Sequence, residues 1–346
     1  MKKRYLLPAL LLLLCLVYLL GPRAEKGSFD TDLPTLPTGL SELDAHVAQG
    51  ESLFPLKEGN EARIVWAEPS GKRKTPVAVV YLHGFSASHR EGFPAHMDFA
   101  RRYGCNLYLA RLSDHGIESD EPMKELSVDR LWESAIEAYA IGRQLGDEVI
   151  IMSTSSGSTL ALKLSACFPE IKALINFAPN VKINSQAAFL LSKPWGLQIA
   201  RLVFGGKYRH LPTDEVNSKY WYGHYRLEAA VALQQLLDQV AKKEVYEEVR
   251  CPVWSGFYYR DEANQDQTVS VAAIKEMHTL LGTPSDMQQA VAFPNAKSHV
   301  IACDLTSHSL DEVLQSVYHF AESTLQMQSS TQAIIAPENE PIQSHP

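Results

Sequence analysis

Seven short apolar runs recur between residues 62 and 293, and most are separated by enough periodic sequence for a helix. Strands alternating with helices mark a mostly parallel sheet covered on both faces. The runs fall at residues 63–67, 77–82, 106–111, 148–152, 173–177, 253–258 and 289–293. All but the first two leave room for a crossover helix between them. The expected fold class is therefore α/β, and 346 residues with 45% hydrophobic content suffice for one large core.

Helix signals fit between the runs. Ser127 can cap a helix ending at Leu145, with Leu131, Ala135, Ala138 and Leu145 along one side and Gly146 just beyond its end. Ser309-Leu310-Asp311-Glu312 reads as a capping box opening the last helix, in which Val313, Leu314, Val317, Tyr318 and Ala321 keep helical spacing. Residues 180–250 break the alternation. They are too many for a plain crossover and read as a helical lid over the strand ends, most clearly at 227–246. Nine aromatics fall there; packing within the lid accounts for most of them, and an acyl-binding wall is the other reading.

Lys2, Lys3 and Arg4 precede an apolar run at residues 5–20, the pattern of an export signal or membrane anchor. Sixteen helical residues reach about 24 Å, short of the roughly 30 Å hydrocarbon core, although bilayer thinning and snorkelling of Arg4 and Arg23 can close the gap. Gly21-Pro22-Arg23-Ala24 offers no clear cleavage site. The expectation is an uncleaved anchor with the remaining chain outside the cytoplasm, on the periplasmic or extracellular side; secretion is the alternative. Cys15 lacks the small preceding residues of a lipidation signal, since 12–14 are all leucine. The expected organisation is thus 1–21 anchor or signal, 22–60 spacer with a short helix at 41–48, 61–179 and 251–326 core, 180–250 lid, and 327–346 disordered tail.

The formal charge is −8, with no basic patch for nucleic acid. Cys105, Cys167, Cys251 and Cys303 have no metal-site spacing and read as free core thiols, with disulfides in one of three connectivities as the alternative in an oxidising compartment.

The candidate chemistry begins at Ser153-Thr154-Ser155-Ser156-Gly157, between the apolar run 148–152 and a small-residue helix start. A serine nucleophile sits on such a strand-to-helix turn when small residues lie two positions to either side. Only Ser155 has Gly two residues on; Ser153 would have Ile151 before it, and Ser156 lies between Thr154 and Ser158. A serine hydroxyl needs a histidine base and a carboxylate to orient it. After the run 253–258, Asp266 lies in Asp266-x-x-Val269-Ser270, with Asp261 as its rival and a solvated loop charge as the bland reading of either. His299 follows the last strand by a short loop, and His308 is a weaker candidate. The turn His83-Gly84-Phe85 ends the run 77–82 and can supply one oxyanion amide, from Phe85; Ser156 supplies the other. His83 can also brace this turn, and Asp114-His115-Gly116 reads as a simple turn or a pocket wall.

These segments, in this order, resemble the α/β-hydrolase superfamily, in particular its carboxylesterase, monoacylglycerol-lipase and serine-aminopeptidase-like branch. The resemblance covers about residues 62–325, with Ser153 standing where Gly is usual. It implies an α/β-hydrolase fold with a helical lid and a serine hydrolase that cleaves a carboxylic ester through an acyl-enzyme. Ser155, Asp266 and His299 would be catalytic, acting on a small-molecule acyl substrate with no metal or organic cofactor. An aminopeptidase-like amide hydrolase, with Asp214 or Glu215 holding an amino terminus, and a membrane-tethered binding protein without turnover are the alternatives.

Overall fold

The computed structural model describes residues 6–330, and in it the seven apolar runs join one sheet. The strands are β1 (Arg63–Val65), β2 (Thr75–Leu82), β3 (Asn106–Leu109), β4 (Gly146–Thr154), β5 (Ala173–Phe177), β6 (Tyr208–His210), β7 (His224–Arg226), β8 (Val253–Phe257) and β9 (Gln288–Ala292). The sheet order is β1-β3-β2-β4-β5-β8-β9. β1 runs antiparallel to β3, and every other neighbouring pair is parallel. The C-terminal ends of β2, β4, β8 and β9 therefore gather along one edge, where ligand sites of open α/β sheets form.

The helices are α1 (Leu6–Leu19), α2 (Leu40–Glu51), α3 (Ala95–Tyr103), α4 (Val128–Leu145), α5 (Ser156–Cys167), α6 (Gly196–Val203), α7 (Glu215–Ser218), α8 (Leu227–Val240), α9 (Lys243–Tyr246), α10 (Val271–Leu280) and α11 (Leu310–Ser323). Side chains alternate along a strand, and β2 shows what that accomplishes. Ala78, Val80 and Leu82 enter a core with residues of α4, α5, α8 and α10, whereas Val77, Val79 and Tyr81 enter a second core with α3 and α11. Both faces of the sheet are thereby buried at β2.

α4 follows its sequence signals. Ser127 Oγ accepts from the Arg130 amide at 3.2 Å, and Leu131, Ala135, Ala138 and Leu145 are all buried. At the other end Asn106 Nδ2 donates to the Leu145 carbonyl at 2.9 Å. Gly146 is extended (φ −145°) and begins β4, so it is no left-handed cap; a side chain there would press on the Ala78 amide of β2.

Three expectations need correction. The 180–250 segment is not purely helical, because β6 and β7 form an antiparallel ribbon between α6 and α8. α11 does start after Ser309, yet the capping box is not made: Ser309 (φ −142°, ψ 40°) lacks the extended backbone of a capping residue, and its hydroxyl is buried without a partner among the described residues. The segment read as a spacer lies against the body. Trp132 Nε1 donates to the Asp30 carbonyl at 2.6 Å, Phe29 meets the Trp132 ring edge-on at 5.2 Å, and Leu43 and Val47 of α2 are buried. Glu51 closes α2 by pairing with Arg111 at 2.7 and 2.8 Å and accepting the Ala62 amide at 2.6 Å.

Of the expected disordered tail, residues 331–346 lie outside the described residues. Its start is bound, with the Met327 amide on the Ala321 carbonyl and the Ser330 amide on that of Arg102. Residues 1–5 of the expected anchor also lie outside. α1 has 14 residues, and among the described residues no helix is long and apolar enough to cross a membrane. All five cysteines are free thiols.

The Arg111–Glu51 pair is well shielded, with side-chain exposures of 6% and 14%. Removing one partner of such a pair leaves the other charge uncompensated. Glu51→Ala is expected to cost about 2–4 kcal/mol, read as a shift in the urea midpoint at unchanged slope. A detached spacer would leave the midpoint where it was.

Candidate active site

Ser155 occupies the turn between β4 and α5 with φ 52° and ψ −117°, a conformation an L-residue holds only when its surroundings enforce it. Three backbone bonds do so. The Ser155 amide donates to the Phe177 carbonyl at 2.9 Å, and its carbonyl accepts the Asn180 amide at 3.0 Å and the Ser158 amide at 3.0 Å. Gly157 sits directly over the end of β2, where any side chain would overlap the Leu82 and His83 carbonyl oxygens. Ser153, in the place where Gly is usual, is wholly buried and has a packing role: its hydroxyl bonds Ser158 Oγ at 2.9 Å and Asn176 Oδ1 at 2.8 Å. Ser156 opens α5. Of the three serines, only Ser155 sits on the turn.

The structure joins Asp266 and His299 directly. His299 Nδ1 donates to Asp266 Oδ2 at 2.6 Å, while Asp266 Oδ1 accepts the Thr268 and Val269 amides at 2.7 and 3.1 Å. Val269 is fully buried and pins the loop's return. Burial alone would raise the Asp266 carboxyl, but His299 and the two amides outweigh it and hold it below the usual value. Burial likewise disfavours the His299 imidazolium; Asp266, with Glu91 as a second anion, overcomes this and raises it. Asp261 is exposed and spends its carboxylate on the turn at Ala263 and Asn264. His308 is exposed on the approach to α11.

The third component is the loop after β2. His83 is buried and neutral in role: Nδ1 donates to the Gly84 carbonyl at 2.8 Å and Nε2 accepts the Leu112 amide at 2.9 Å, with burial holding its pKa well below the usual imidazole value. It braces the loop. The amides of Phe85 and Ser156 have no hydrogen-bond partner among the described residues. Residues of the 180–250 segment pack on this loop, since the Tyr222 amide donates to the Ser86 carbonyl at 2.8 Å and Tyr225 meets the Phe85 ring edge-on at 4.9 Å. Asp114 is a turn residue paired with Arg130 at 2.8 and 3.0 Å. A cavity of about 970 Å³ lies behind the acid loop, lined in part by Asn184, Phe189, Asp238, Tyr246 and Ser270, and includes neither Ser155 nor His299.

No family profile and no curated protein matches the sequence. Solved structures do match. One is the structure described with LipS and LipT, two metagenome-derived lipolytic enzymes, at TM-score 0.60 and 17% identity over 78% of this chain and 99% of that one. Est1E from Butyrivibrio proteoclasticus with ferulic acid bound matches at TM-score 0.51 and 20% identity, over 79% and 99% of the chains. A soluble variant of monoglyceride lipase from Saccharomyces cerevisiae, in complex with a substrate analogue, matches at 0.53 and 14%, over 78% and 93%. The chain has the α/β-hydrolase fold.

Within this fold the sequence reading missed one residue, Glu91. It lies in a 3₁₀ turn (His89–Gly92) with no periodicity to mark it, is 2% exposed, and accepts the Gly84 amide through Oε1. A Cβ placed on Gly84 would lie 2.9 Å from that oxygen and 3.0 Å from Ser155 Cβ, so carboxylate and serine flank the same glycine. Burial raises the Glu91 carboxyl to about 7, against the Gly84 amide, His299 and the Trp221 side chain, which lower it. The nearby His89 and His96 are held neutral by burial, both near 3.

Two predictions follow from this geometry. Gly157→Ala is expected to destabilise the fold by about 3 kcal/mol or more, measured by denaturant unfolding, because backbone and not a flexible side chain occupies the space. For Glu91, a carboxyl raised above its unfolded value makes stability fall as pH rises from about 4.5 to about 7, by an amount on the order of 3 kcal/mol. Glu91→Gln is expected to flatten that fall in unfolding measured across pH. An unchanged slope would show that Glu91 is not held protonated.

Proposed function

We propose that the protein is a serine hydrolase that cleaves a carboxylic ester, with Ser155 as nucleophile, His299 as base and Asp266 as the group that orients it. The observation that carries this reading is the His299–Asp266 bond at 2.6 Å on the loops after β9 and β8, at the same sheet edge as the Ser155 turn. Because Nδ1 is committed to Asp266, Nε2 is the nitrogen left for proton transfer. Ser155 Oγ attacks the substrate carbonyl carbon and gives its proton to His299 Nε2. The amides of Phe85 and Ser156 hold the resulting oxyanion. His299 returns the proton to the departing alcohol, and water, deprotonated by the same nitrogen, then releases the acid and restores Ser155. Asp266 remains ionised throughout and stabilises the imidazolium.

The 180–250 segment serves as the lid of this reading, since it packs on both the oxyanion loop and the acid loop. Besides Tyr222 on Ser86, the Asn184 amide donates to the Thr268 carbonyl at 2.9 Å and the Ser270 amide to that of Lys182 at 2.8 Å. Esters of the kind named for the lipolytic and esterase neighbours are the substrate class we favour. Amide cleavage is less well supported: Asp214 caps α7 with both carboxylate oxygens on Asn217, and Glu215 is exposed.

Ser155→Ala and His299→Ala are each expected to lower ester turnover by about four to six orders of magnitude, and Asp266→Asn by about 10⁴. Ser153→Ala is expected to retain the activity that its stability permits. A fluorophosphonate probe should label the wild type and not Ser155→Ala; labelling that persists would move the nucleophile, and a wild type that never labels would favour a binding protein. A panel of acyl esters and aminoacyl amides decides the bond. Turnover should rise with pH through a histidine pKa above the ordinary value of about 6.5, set chiefly by the Asp266 carboxylate.

A further inference from the structure

The surface of the 180–250 segment carries an apolar face that the catalytic reading does not use. Leu202 is 84% and Val203 70% exposed, and Phe189, Leu190, Ile199 and Phe204 are also exposed. These residues belong to α6, to Phe204 just past its end and to the 3₁₀ turn Ala188–Ser192, which packs on α6 because Gly196 lets the helix start against the Leu190 and Leu191 carbonyls. α6 turns only Gly196 and Ala200 fully inward. Beyond it Gly205 and Gly206 have, among the described residues, no other atoms near their Cβ positions, so the tip stands clear of the described body. Exposed apolar surface on this scale marks an interaction site.

The charge pattern says what fits it. In a chain of net charge −8, residues 171–213 contain Lys172, Lys182, Lys193, Arg201, Lys207 and Arg209 and no Asp or Glu at all. Arg201 and Lys193 are tied to Glu228 and Asp238 of α8. Lys207 and Arg209, next to the tip, have no acidic partner among the described residues, and the Arg209 guanidinium lies over the Phe204 ring at 4.8 Å. Apolar side chains beside unpaired cations suit an interface that is apolar below and anionic above.

A second observation points the same way. The described side chains of α1 from Leu11 to Leu19 are all exposed, so over this stretch the helix is apolar around its circumference and uncovered among the described residues. A helix apolar all round belongs in a core or a bilayer. Its C-terminal end meets the start of α6, where Trp195 Nε1 donates to the Val17 carbonyl at 3.0 Å and the Trp195 amide to that of Pro22 at 2.9 Å. Tryptophan is the residue favoured at the border of hydrocarbon and headgroups.

We infer that the α6 face, from Phe189 to the tip at Gly206, docks on an anionic lipid bilayer beside α1. The inference stands apart from the catalytic reading and survives its failure. The test is hydrogen–deuterium exchange of the full chain with vesicles of phosphatidylcholine, with and without phosphatidylglycerol. It reads the segment itself, whatever α1 contributes to binding. Amides of residues 196–206 are expected to exchange about tenfold more slowly with the anionic vesicles, less so with phosphatidylcholine alone. The protection should be lost in the double variant Leu202→Glu, Val203→Glu, whose turnover of a soluble ester stays as in the wild type. Exchange unaltered by vesicles, or protection retained in the variant, overturns the inference. So does protection that grows with protein concentration without lipid, since the face would then bind a second copy of the chain.

Discussion

The contact between Gly157 and the end of β2 is the constraint on which the candidate site rests. β2 and β4 are parallel neighbours with Leu82 opposite Ser153, so both strands end at nearly the same level. α5 must therefore leave β4 across the Leu82 and His83 carbonyls, and only a residue without a side chain can pass. That crossing forces Ser155 into its positive-φ turn. Such a conformation costs about 1–3 kcal/mol, and the bonds to Phe177, Asn180 and Ser158 offset it. The same contact brings the start of α5 beside the loop that carries Phe85. The proposed nucleophile and the amides proposed for the oxyanion are thus set by one packing event.

What was legible in the sequence is what depends on local pattern and chain order. The 173–177 strand, the Ser127 cap and the buried side of α4 follow from periodicity, and Asp266 and His299 follow from where loops must fall after β8 and β9. Glu91 was not legible, because its importance comes from the Gly84 amide and the Ser155 side chain, neither of which its own short turn announces. The Ser309 box had the right residues but the wrong backbone, with Ser309 at φ −142° and ψ 40°. The ribbon of β6 and β7 is formed from three-residue strands separated by α7, too short for any period to show. α2 is amphipathic in a weak way, and its attachment through Glu51 to Arg111 of a distant loop is tertiary information.

The surroundings of His299 show how burial and charge work against each other here. A buried imidazole on its own is a poor proton acceptor, as His83, His89, His96 and His115 illustrate, all pushed down chiefly by burial. His299 departs from them because two carboxylates face it. Asp266 is secured as an anion by two amides, whereas Glu91, with a single amide and full burial, is held near the point of changing charge. The two acids have the same side-chain chemistry in different settings, and the settings divide their roles.

A division of charge also runs through the whole chain. The acidic residues are excluded from 171–213, which begins just before β5 and runs through α6 and the tip to the threshold of α7. Folding needs no such exclusion, since the exposed positions of α6 would accept carboxylates at little cost to stability. Solubility would favour them, because Asp and Glu shield apolar surface from association better than Lys and Arg do. A segment that keeps exposed leucine, valine and phenylalanine and admits only positive charge beside them runs against both preferences. The proposed docking on an anionic surface accounts for this pattern, and the same segment reaches the acid loop through the Asn184 amide on the Thr268 carbonyl.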